Sequence, residues 1–471
     1  AVPDADPPVV AETIQPKFPS LKNDRNVTFT SEGAPNRRTV PLRVAVVLSG
    51  GQAPGGHNVI SGVFDHAKRL HPDSKVFGFL NGPHGVFSNN YVEITAELLS
   101  TYRNTGGFDI IGSGRHKIES PEQFEASLTN CKQLGLHGLV VIGGDDSNTN
   151  AALLAEYFAS HNSETKVCGA PKTIDGDMKV LGLVPQSFGF DTAAKTYAEM
   201  VGNIQLDAIS SQKYYHFVRL MGRSASHIAL EVALQTHPNV VFIGEEVAKH
   251  KWSLKDLTDQ LASVVMRRAV IGKNFGVIIV PEGLVEFVPE VSVLIAEIND
   301  ALATAESEGK KLDLSTLCGG LMKPESTALF KSLPKSIQLQ LMLDRDAHGN
   351  VAVSQIQTER LLHGMLHLRL KKEAEAGNFD GTFKAQFHFF GYEGRSGLPS
   401  QFDSNYCYAL GATATTLISL GHTGQIASVR NLSAPTQDWV CGGVAVPPLL
   451  NLERRKGKIK PVIRKAMVGR V

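Results

Sequence analysis

Two short polar segments of this chain bring together residue types that can move a phosphoryl group. They contain four aspartates and one lysine, namely Asp145, Asp146, Lys172, Asp175 and Asp177. Carboxylates can hold Mg²⁺, an ammonium can neutralise phosphate, and a further carboxylate can accept a proton from an attacking hydroxyl. This combination indicates phosphoryl transfer.

Asp145 and Asp146 are adjacent, and the repulsion between neighbouring carboxylates is unfavourable unless a cation lies close by. Mg²⁺ bound through a carboxylate and through ligand phosphate oxygens would supply that cation, which predicts a metal site at Asp145. Asp175 suits a general base that accepts a hydroxyl proton. For Lys172, the alternative to phosphate binding is a salt bridge to an acid of its own turn.

A glycine-rich segment, residues 49–58, follows the first apolar run of the chain. Its glycines let backbone N–H groups approach an anion, although it matches neither the Walker A loop nor the Gly-x-Gly-x-x-Gly pattern. A tight turn that needs positive φ is an equally good interpretation. Arg223 and Arg395 also stand in glycine-flanked turns, where arginine suits bidentate phosphate recognition, although either alone could be a surface residue.

The elements that must position these segments are visible as short, continuous apolar runs. Such runs predict strands buried on both faces, as in a parallel sheet covered by helices. The segments between them have helical spacing. We therefore predict an open α/β architecture in two halves, with ligands at the carboxyl ends of the strands. The runs are residues 44–48, 76–79, 139–142, 240–243 and 277–280.

The chain divides by composition into four parts. Residues 1–40 are polar and proline-rich and predict an arm rather than a packed element. Residues 41–212 form a first α/β domain, and residues 213–450 form a second with a mainly helical insertion at about 291–380. Residues 451–471 are a basic C-terminal segment, interpreted as a solvated edge or a subunit contact.

The overall composition is that of a globular protein, with 42% hydrophobic and 20% charged residues. A net charge of +1 gives no reason to expect nucleic acid or an anionic membrane as partner. The five scattered cysteines predict reduced thiols and a cytoplasmic protein. No apolar run approaches the roughly 20 residues of a membrane span.

Taken together, these motifs resemble the phosphofructokinases, and more closely the long, eukaryotic-type pyrophosphate–fructose 6-phosphate 1-phosphotransferases, such as the catalytic β subunit of plants. The resemblance runs from about residue 43 to about residue 461. It implies two Rossmann-like αβα phosphofructokinase domains. The blocks that carry it are residues 48–58, 138–150, 171–177, 214–227, 235–246, 281–283 and 391–403.

The resemblance also implies roles for individual residues. Gly50 matches the glycine that contacts pyrophosphate, Asp145 the Mg²⁺-associated carboxylate, and Asp175 the acceptor of the proton from the 1-hydroxyl of fructose 6-phosphate. Asp146, Lys172 and Asp177 complete the implied catalytic set. The implied sugar-phosphate contacts are Thr173, Ile174, Met221, Gly222, Arg223, Glu282, Tyr392, Glu393, Gly394 and Arg395.

Lys213 and Tyr214 match positions that, in this family, reach the site of a neighbouring subunit. The resemblance therefore implies a homo-oligomer, or a hetero-oligomer with a regulatory subunit. Gly176 departs from the asparagine that is commoner at this position. Long-type relatives share that change, so the catalytic prediction is unaffected.

Two residues bear on the phosphoryl donor. ATP-using relatives generally carry glycine at the positions of Asp146 and Lys172. A carboxylate at the first would repel the α-phosphate of a nucleotide, and an ammonium at the second would stabilise a pyrophosphate leaving group. We therefore expect reversible, Mg²⁺-dependent phosphoryl transfer from pyrophosphate to fructose 6-phosphate, in glycolysis and gluconeogenesis. The alternatives are an ATP-dependent 6-phosphofructokinase and a non-catalytic regulatory subunit of the same fold.

Overall fold

The apolar runs of the sequence form buried strands in two separate sheets. The computed structural model describes residues 2–3, 9–30, 38–180, 182–307, 317, 321–343, 345, 351–455 and 458–469. The predicted α/β class is confirmed, with a sheet in each of two compact units. These units are Ala1–Ala193 with Arg395–Ala466, and Ala194–Gly394 with Met467–Val471.

The elements alternate between strand and helix along most of the described chain. The strands are β1 (Val2–Pro3), β2 (Val27–Thr28), β3 (Arg43–Leu48), β4 (Lys75–Phe79), β5 (Tyr91–Ile94), β6 (Gly138–Gly143), β7 (Lys166–Pro171), β8 (Tyr215–Leu220), β9 (Val240–Val241), β10 (Gly276–Pro281), β11 (Ala385–Phe390), β12 (Gln425–Arg430), β13 (Val440–Ala445), β14 (Leu450–Arg455) and β15 (Lys458–Ile463).

Several helices begin at residues that satisfy their free N–H groups. Ser120 and Ser253, for example, form capping boxes before two of them. The α-helices within the described residues are α1 (Gly56–Leu70), α2 (Pro83–Phe87), α3 (Ala96–Ser100), α4 (Pro121–Gln133), α5 (Asp145–Ser160), α6 (Phe190–Ser211), α7 (His227–Thr236), α8 (Gly244–His250), α9 (Leu254–Val270), α10 (Leu284–Phe287), α11 (Pro289–Ser307), α12 (Pro324–Ser332), α13 (Lys335–Leu343), α14 (Thr358–Glu375), α15 (Tyr392–Ser396) and α16 (Gln401–Ser419).

Nine described strands of the first unit form a sheet in the order β1-β2-β13-β12-β7-β6-β3-β4-β5. The strands from β12 to β4 run parallel and are largely buried, as their continuous apolar runs predict. Gly143 at the end of β6 pairs with Pro171 at the end of β7, and Ile142 pairs with Leu48 at the end of β3. The polar segments after these strands therefore leave the sheet side by side.

Four described strands of the second unit form a parallel sheet in the order β11-β8-β10-β9. Leu220 at the end of β8 pairs with Pro281 at the end of β10 and with Phe390 at the end of β11. The loops after these three strands are therefore also neighbours. Helices α9 and α14 pack together, with Leu261 and Leu366 fully buried in the core of this unit.

Residues 9–30 pack against the first unit, so the prediction of an unpacked N-terminal arm is wrong for this part of the chain. Ile14 and Phe18 are fully buried, and Leu21 is nearly so. The Glu156 carboxylate accepts a hydrogen bond from the backbone N–H of Leu21 at 3.0 Å, and β2 pairs with β13. These few apolar residues are spread among prolines and charged residues, so no local pattern predicts their burial. They become buried because the segment packs on the sheet.

The domain boundaries differ from those drawn from the sequence. Residues 395–450 belong to the first unit, because β12 joins β7 and α16 packs along α1. The two helices approach closely at Gly62 and Gly411, where an added Cβ would lie 2.1 Å from a carbonyl oxygen of the other helix. The first unit also ends earlier, at Ala193 within α6. Between β10 and β11 the described residues form helices α10 to α14.

The C-terminal segment folds on the first unit as the hairpin β14–β15, with β15 against α5. Lys460 of this hairpin pairs with Glu119 at 2.9 Å. Among the described cysteines, Cys131, Cys168, Cys407 and Cys441 are free thiols, and Cys318 lies outside the described residues. The helices of the described residues include none long and apolar enough to cross a membrane.

Candidate active site

The glycine-rich loop after β3 lies close to cationic side chains of the first unit. Gly50 has a φ of 86°, and its N–H donates to the Gly114 carbonyl at 2.8 Å. An added Cβ would lie 3.5 Å from Lys172 Nζ at Gly50 and 3.0 Å from Arg395 Nη1 at Gly51. The loop therefore has cationic neighbours that suit an anion, whereas the N–H of Gly50 is already donated within the protein.

Lys172 follows β7 and reaches across to this loop. Its Nζ donates a 2.6 Å hydrogen bond to the Gly51 carbonyl, and the residue is 7% exposed. Burial lowers the pKa of Lys172 to about 8, an effect that the charge of Asp175 opposes and that of Arg395 reinforces. A buried lysine held near its point of ionisation responds strongly to an added anion.

The adjacent acids Asp145 and Asp146 occupy the first turn of α5. The positive end of the helix dipole favours carboxylates here. Asp146 also pairs with Lys117 at 3.2 Å, and Asp145 lies 3.7 Å from Lys465 Nζ. The repulsion anticipated from the sequence is therefore offset in part by two lysines of the protein itself.

The second acid pair lies on the turn after Lys172. Thr173 Oγ1 accepts a 3.1 Å hydrogen bond from the N–H of Asp175, whose side chain is half-buried. Asp177 is 5% exposed, and burial, followed by the charge of Asp175, raises its carboxyl pKa to about 6, against the effect of Lys465. Gly176 between them has a φ of 71°, a conformation that glycine and asparagine adopt most readily.

The same turn carries Ile174, which is 5% exposed and faces the turn at Gly189. An added Cβ at Gly189 would lie 3.3 Å from Ile174 Cγ2. The structure brings nine of the predicted residues into one unit, and all but Arg395, which follows β11, come after the adjacent strands β3, β6 and β7. They are Gly50, Asp145, Asp146, Lys172, Thr173, Ile174, Asp175, Asp177 and Arg395.

A divalent cation fits this group of acids. The described residues contain no cluster of three or more metal-ligating side chains. Mg²⁺ does not require one, because it usually keeps several waters and takes one or two carboxylates together with phosphate oxygens. Asp145 and Asp177 both lie within 4 Å of the Lys465 ammonium, so two carboxylates from different strand ends stand close enough to share a cation.

A second polar group forms in the other unit, after β8 and β10. The Gly222 N–H donates to Glu282 Oε2 at 3.0 Å, and the Glu282 N–H donates to the Leu220 carbonyl at 2.9 Å. The two loops approach so closely that an added Cβ at Gly283 would lie 1.9 Å from the carbonyl oxygen of Arg223. Met221, Gly222, Arg223 and Glu282 are thus neighbours, as predicted, with Arg223 exposed.

The turn after β11 completes this second group. Glu393 accepts a hydrogen bond from the N–H of Gly391 at 3.0 Å, and Tyr392 is 60% exposed. Gly394 lies against Tyr197, where an added Cβ would meet the ring at 2.4 Å. The chain then enters the first unit at Arg395.

Lys213 and Tyr214 lie apart from these residues. They precede β8, whereas Met221 follows it, so six strand residues, or about 20 Å, separate the two positions. Lys213 is exposed and Tyr214 half-buried. The structure therefore does not bring this pair to the polar group of its own unit.

Three cationic residues escaped the sequence analysis: Arg115, Lys117 and Lys465. An added Cβ at Gly51 would lie 3.9 Å from Arg115 Nη2, and the other two pair with site acids. None stands in a motif. The only sequence signal for Lys465 was its place in a basic C-terminal segment.

In the first unit, acids, a lysine and a glycine-rich loop follow adjacent parallel strands, a combination that suits phosphoryl transfer. The family model for phosphofructokinase matches residues 43–418. The chain belongs to the phosphofructokinase family, whose members generally need a divalent metal.

Relatives and solved structures agree with this membership. Pyrophosphate–fructose 6-phosphate 1-phosphotransferase subunit beta 1 of Arabidopsis thaliana is 54% identical over 96% of this chain and 79% of its own length. The enzyme of that name from Porphyromonas gingivalis is 51% identical over 97% of this chain and 83% of its own length. The pyrophosphate-dependent phosphofructokinase structure from Nitrosospira multiformis has a TM-score of 0.61 at 17% identity, covers 91% of this chain and 86% of its own, and shows the shared fold.

Proposed function

We propose that this protein transfers a phosphoryl group from pyrophosphate to the 1-hydroxyl of fructose 6-phosphate, giving fructose 1,6-bisphosphate and phosphate. The observation that carries the proposal is the buried Lys172 ammonium on the Gly51 carbonyl, in the same unit as the Asp145–Asp146 pair. The names of the similar proteins support it. We place the reaction in the cytoplasm, in glycolysis and gluconeogenesis.

Asp175 is the proposed proton acceptor. As the 1-hydroxyl oxygen forms its bond to phosphorus, its proton passes to the Asp175 carboxylate. The bond between phosphorus and the bridging oxygen breaks, and its electron pair leaves on the departing phosphate. Pyrophosphate and the product ester have similar transfer potentials, so the same residues serve both directions.

The charge on pyrophosphate is met by the cations at the glycine loop. Lys172 and Arg395 flank Gly50 and Gly51, and Arg115 lies slightly farther away. Charge that develops on the leaving phosphate is stabilised by groups already in position, which is the largest source of catalysis in such sites. Asp177 lies two residues from Asp175, and burial followed by the charge of Asp175 raises the pKa of the Asp177 carboxyl.

Mg²⁺ is the proposed metal, held by Asp145, and when bound it would neutralise phosphate oxygens that the lysine and arginines leave unpaired. Asp146, in its pair with Lys117, would disfavour the α-phosphate of a nucleotide by charge repulsion. An ATP-dependent 6-phosphofructokinase remains the main alternative for the donor. A non-catalytic subunit is disfavoured because the acids, Lys172 and Arg395 are all present.

We assign sugar-phosphate binding to two sets of residues. The first set is Thr173 and Ile174 of the first unit, which directly precede the proposed base, Asp175, in the sequence. The other set lies within the second unit, where hydrogen bonds among the loops fix their positions and the Arg223 guanidinium is the principal cation. That set is Met221, Gly222, Arg223, Glu282, Tyr392, Glu393 and Gly394.

We further propose that Lys213 and Tyr214 act at a neighbouring subunit. Their distance from the Met221 loop along β8 favours a role outside their own unit. A homo-oligomer and a hetero-oligomer with a regulatory subunit both satisfy this role. Light scattering of the purified chain, with and without Lys213→Ala, measures the oligomer and the contribution of this residue.

The decisive experiment is an assay of the purified chain with fructose 6-phosphate, Mg²⁺ and either pyrophosphate or ATP. We expect fructose 1,6-bisphosphate with pyrophosphate alone, and at least about a hundredfold slower formation from the Asp175→Ala control. Product with ATP alone would keep the fold and the base and overturn the donor assignment. No product with either donor would favour a regulatory subunit.

A further inference from the structure

Lys465, from the last described stretch of the first unit, lies among the catalytic acids. Its Nζ is 3.4 Å from Asp177 Oδ2 and 3.7 Å from Asp145 Oδ2. One ammonium thus bridges carboxylates that come from two different strand ends. The side chains of Asp177, Asp145 and Lys465 are 7%, 23% and 30% exposed, so water screens the contact with Asp177 less than that with Asp145.

The backbone around Lys465 is fixed to the same two acids. The Ala466 N–H donates to the Asp177 carbonyl at 2.7 Å. The Ile463 N–H donates to Thr149 Oγ1 at 3.2 Å, and that hydroxyl donates to the Asp145 carbonyl at 2.8 Å. Hydrogen bonds on both sides of Lys465 therefore hold it in register with the site.

Lys460, in the same C-terminal segment, forms an ion pair that is more exposed than the contacts of Lys465. Lys460 Nζ lies 2.9 Å from Glu119, whose side chain is 51% exposed. That contact involves one acid, which has no catalytic assignment. Exposed pairs of this kind contribute little to stability, because water screens them. Lys460 is therefore a matched control for Lys465.

We propose that Lys465 is a positioning residue of the pyrophosphate site. Its ammonium holds the Asp145 and Asp177 carboxylates side by side and offsets their charge, so that anionic pyrophosphate can approach the acid end of the site. This inference rests on the proposed function. It assigns the basic C-terminal segment to the reaction, whereas the sequence had indicated only a solvated edge or a subunit contact.

The test compares Lys465→Met, Lys465→Arg and Lys460→Met with the wild type. We expect Lys465→Met to lose about tenfold or more in kcat/KM for pyrophosphate, the size of a lost charge-assisted contact, with KM for fructose 6-phosphate within about twofold. Calorimetric binding of pyrophosphate in Mg²⁺ without sugar phosphate should weaken by a similar factor. Lys465→Arg should retain most of the wild-type kcat/KM and affinity for pyrophosphate. Lys460→Met should match the wild type in both quantities.

Other outcomes have distinct meanings. Wild-type behaviour of Lys465→Met, or equal losses in Lys465→Met and Lys465→Arg, would overturn the inference, because the positive charge would then not be what the site uses. If Lys465→Met has a lowered unfolding midpoint, Lys465→Gln, which keeps a hydrogen-bond donor, takes its place under the same criteria. A wild type that ignores pyrophosphate in both measurements would instead reject the proposed function.

Discussion

Lys172 Nζ donates a 2.6 Å hydrogen bond to the backbone carbonyl of Gly51, a residue 121 positions away in the chain. The sequence left open a salt bridge within the turn of Lys172 itself. The hydrogen bond instead ties the loop after β7 to the glycine-rich loop after β3. The ammonium is thereby held against the backbone that would receive a phosphate group.

The pH dependence of turnover should report Lys172. Its pKa is lowered to about 8, so the ammonium is present below that pH and is lost above it. We expect kcat/KM for pyrophosphate to fall with an apparent pKa near 8, since this parameter follows the free enzyme. In Lys172→Arg the guanidinium stays charged, and this basic limb should move to higher pH. An unchanged limb in Lys172→Arg would exclude Lys172 as its source.

Donor selectivity should respond to Asp146 and Lys172 together. We expect Asp146→Gly to lower the ratio of kcat/KM for pyrophosphate to that for ATP about tenfold, because the charge that repels nucleotide is lost. Asp146→Gly/Lys172→Gly should lower this ratio further, because the ammonium that stabilises the pyrophosphate leaving group is lost as well. Steady-state kinetics with pyrophosphate and ATP measures the ratio.

Lys117→Ala is the control for that experiment, because it breaks the 3.2 Å pair and leaves the Asp146 carboxylate in place. If Lys117→Ala changes the donor ratio as much as Asp146→Gly does, the pair rather than the carboxylate sets selectivity.

Removal of the proposed base should separate chemistry from binding. Asp175→Ala should lower kcat by about 10²–10⁴, the usual contribution of a general base. Calorimetric affinity for fructose 6-phosphate should stay within about threefold of the wild type, because the proposed phosphate-binding arginine is untouched. A loss of less than about tenfold in kcat would remove Asp175 from this role.

The turn between the two acids should tolerate one substitution and reject another. Gly176 has a φ of 71°, so Gly176→Ala should cost about 1–2 kcal/mol in free energy of unfolding and displace Asp175. Gly176→Asn should cost less and retain more activity, since asparagine adopts this conformation more easily. Urea unfolding and turnover assays of both variants test this prediction. It is contradicted if Gly176→Ala is more stable or more active than Gly176→Asn.

The N-terminal segment should contribute to the stability of the first unit. Phe18 is fully buried, so Phe18→Ala should lower the free energy of unfolding by about 3–5 kcal/mol. Lys17→Ala, at the exposed neighbouring position, should change it by about 0.5 kcal/mol or less. Equal effects of the two substitutions in urea unfolding would contradict the packed arrangement of residues 9–30.

Much of the fold was predictable because its signals are local. Continuous apolar runs mark β3, β4, β6 and β10, since a strand buried on both faces needs no polar alternation. Asp145 follows the β6 run directly, Lys172 and Asp175 follow the strand around Val167, and parallel neighbours bring their carboxyl ends to one edge of the sheet. The sequence therefore predicts that Asp145 and Asp175 follow adjacent strands.

The assignment of residues 395–450 to the first unit could not be predicted from local signals. Residues 395–450 read as the end of a second domain, yet β12 pairs with β7 of the first sheet. Nothing within β12 specifies its partner, because an apolar strand fits many sheets equally well. Its place depends on the close packing of α16 on α1, in which Gly62 and Gly411 permit an approach that a side chain would prevent.

The sequence by itself determined the residue types of the site and the strand ends on which they stand, because both follow from patterns within a few residues. The tertiary structure alone decided which distant charges accompany them. Lys117 and Lys465 pair with Asp146, Asp145 and Asp177 only because separate segments pack on one sheet. Such contacts arise from the summed burial of many apolar side chains, and no short pattern around either lysine encodes them.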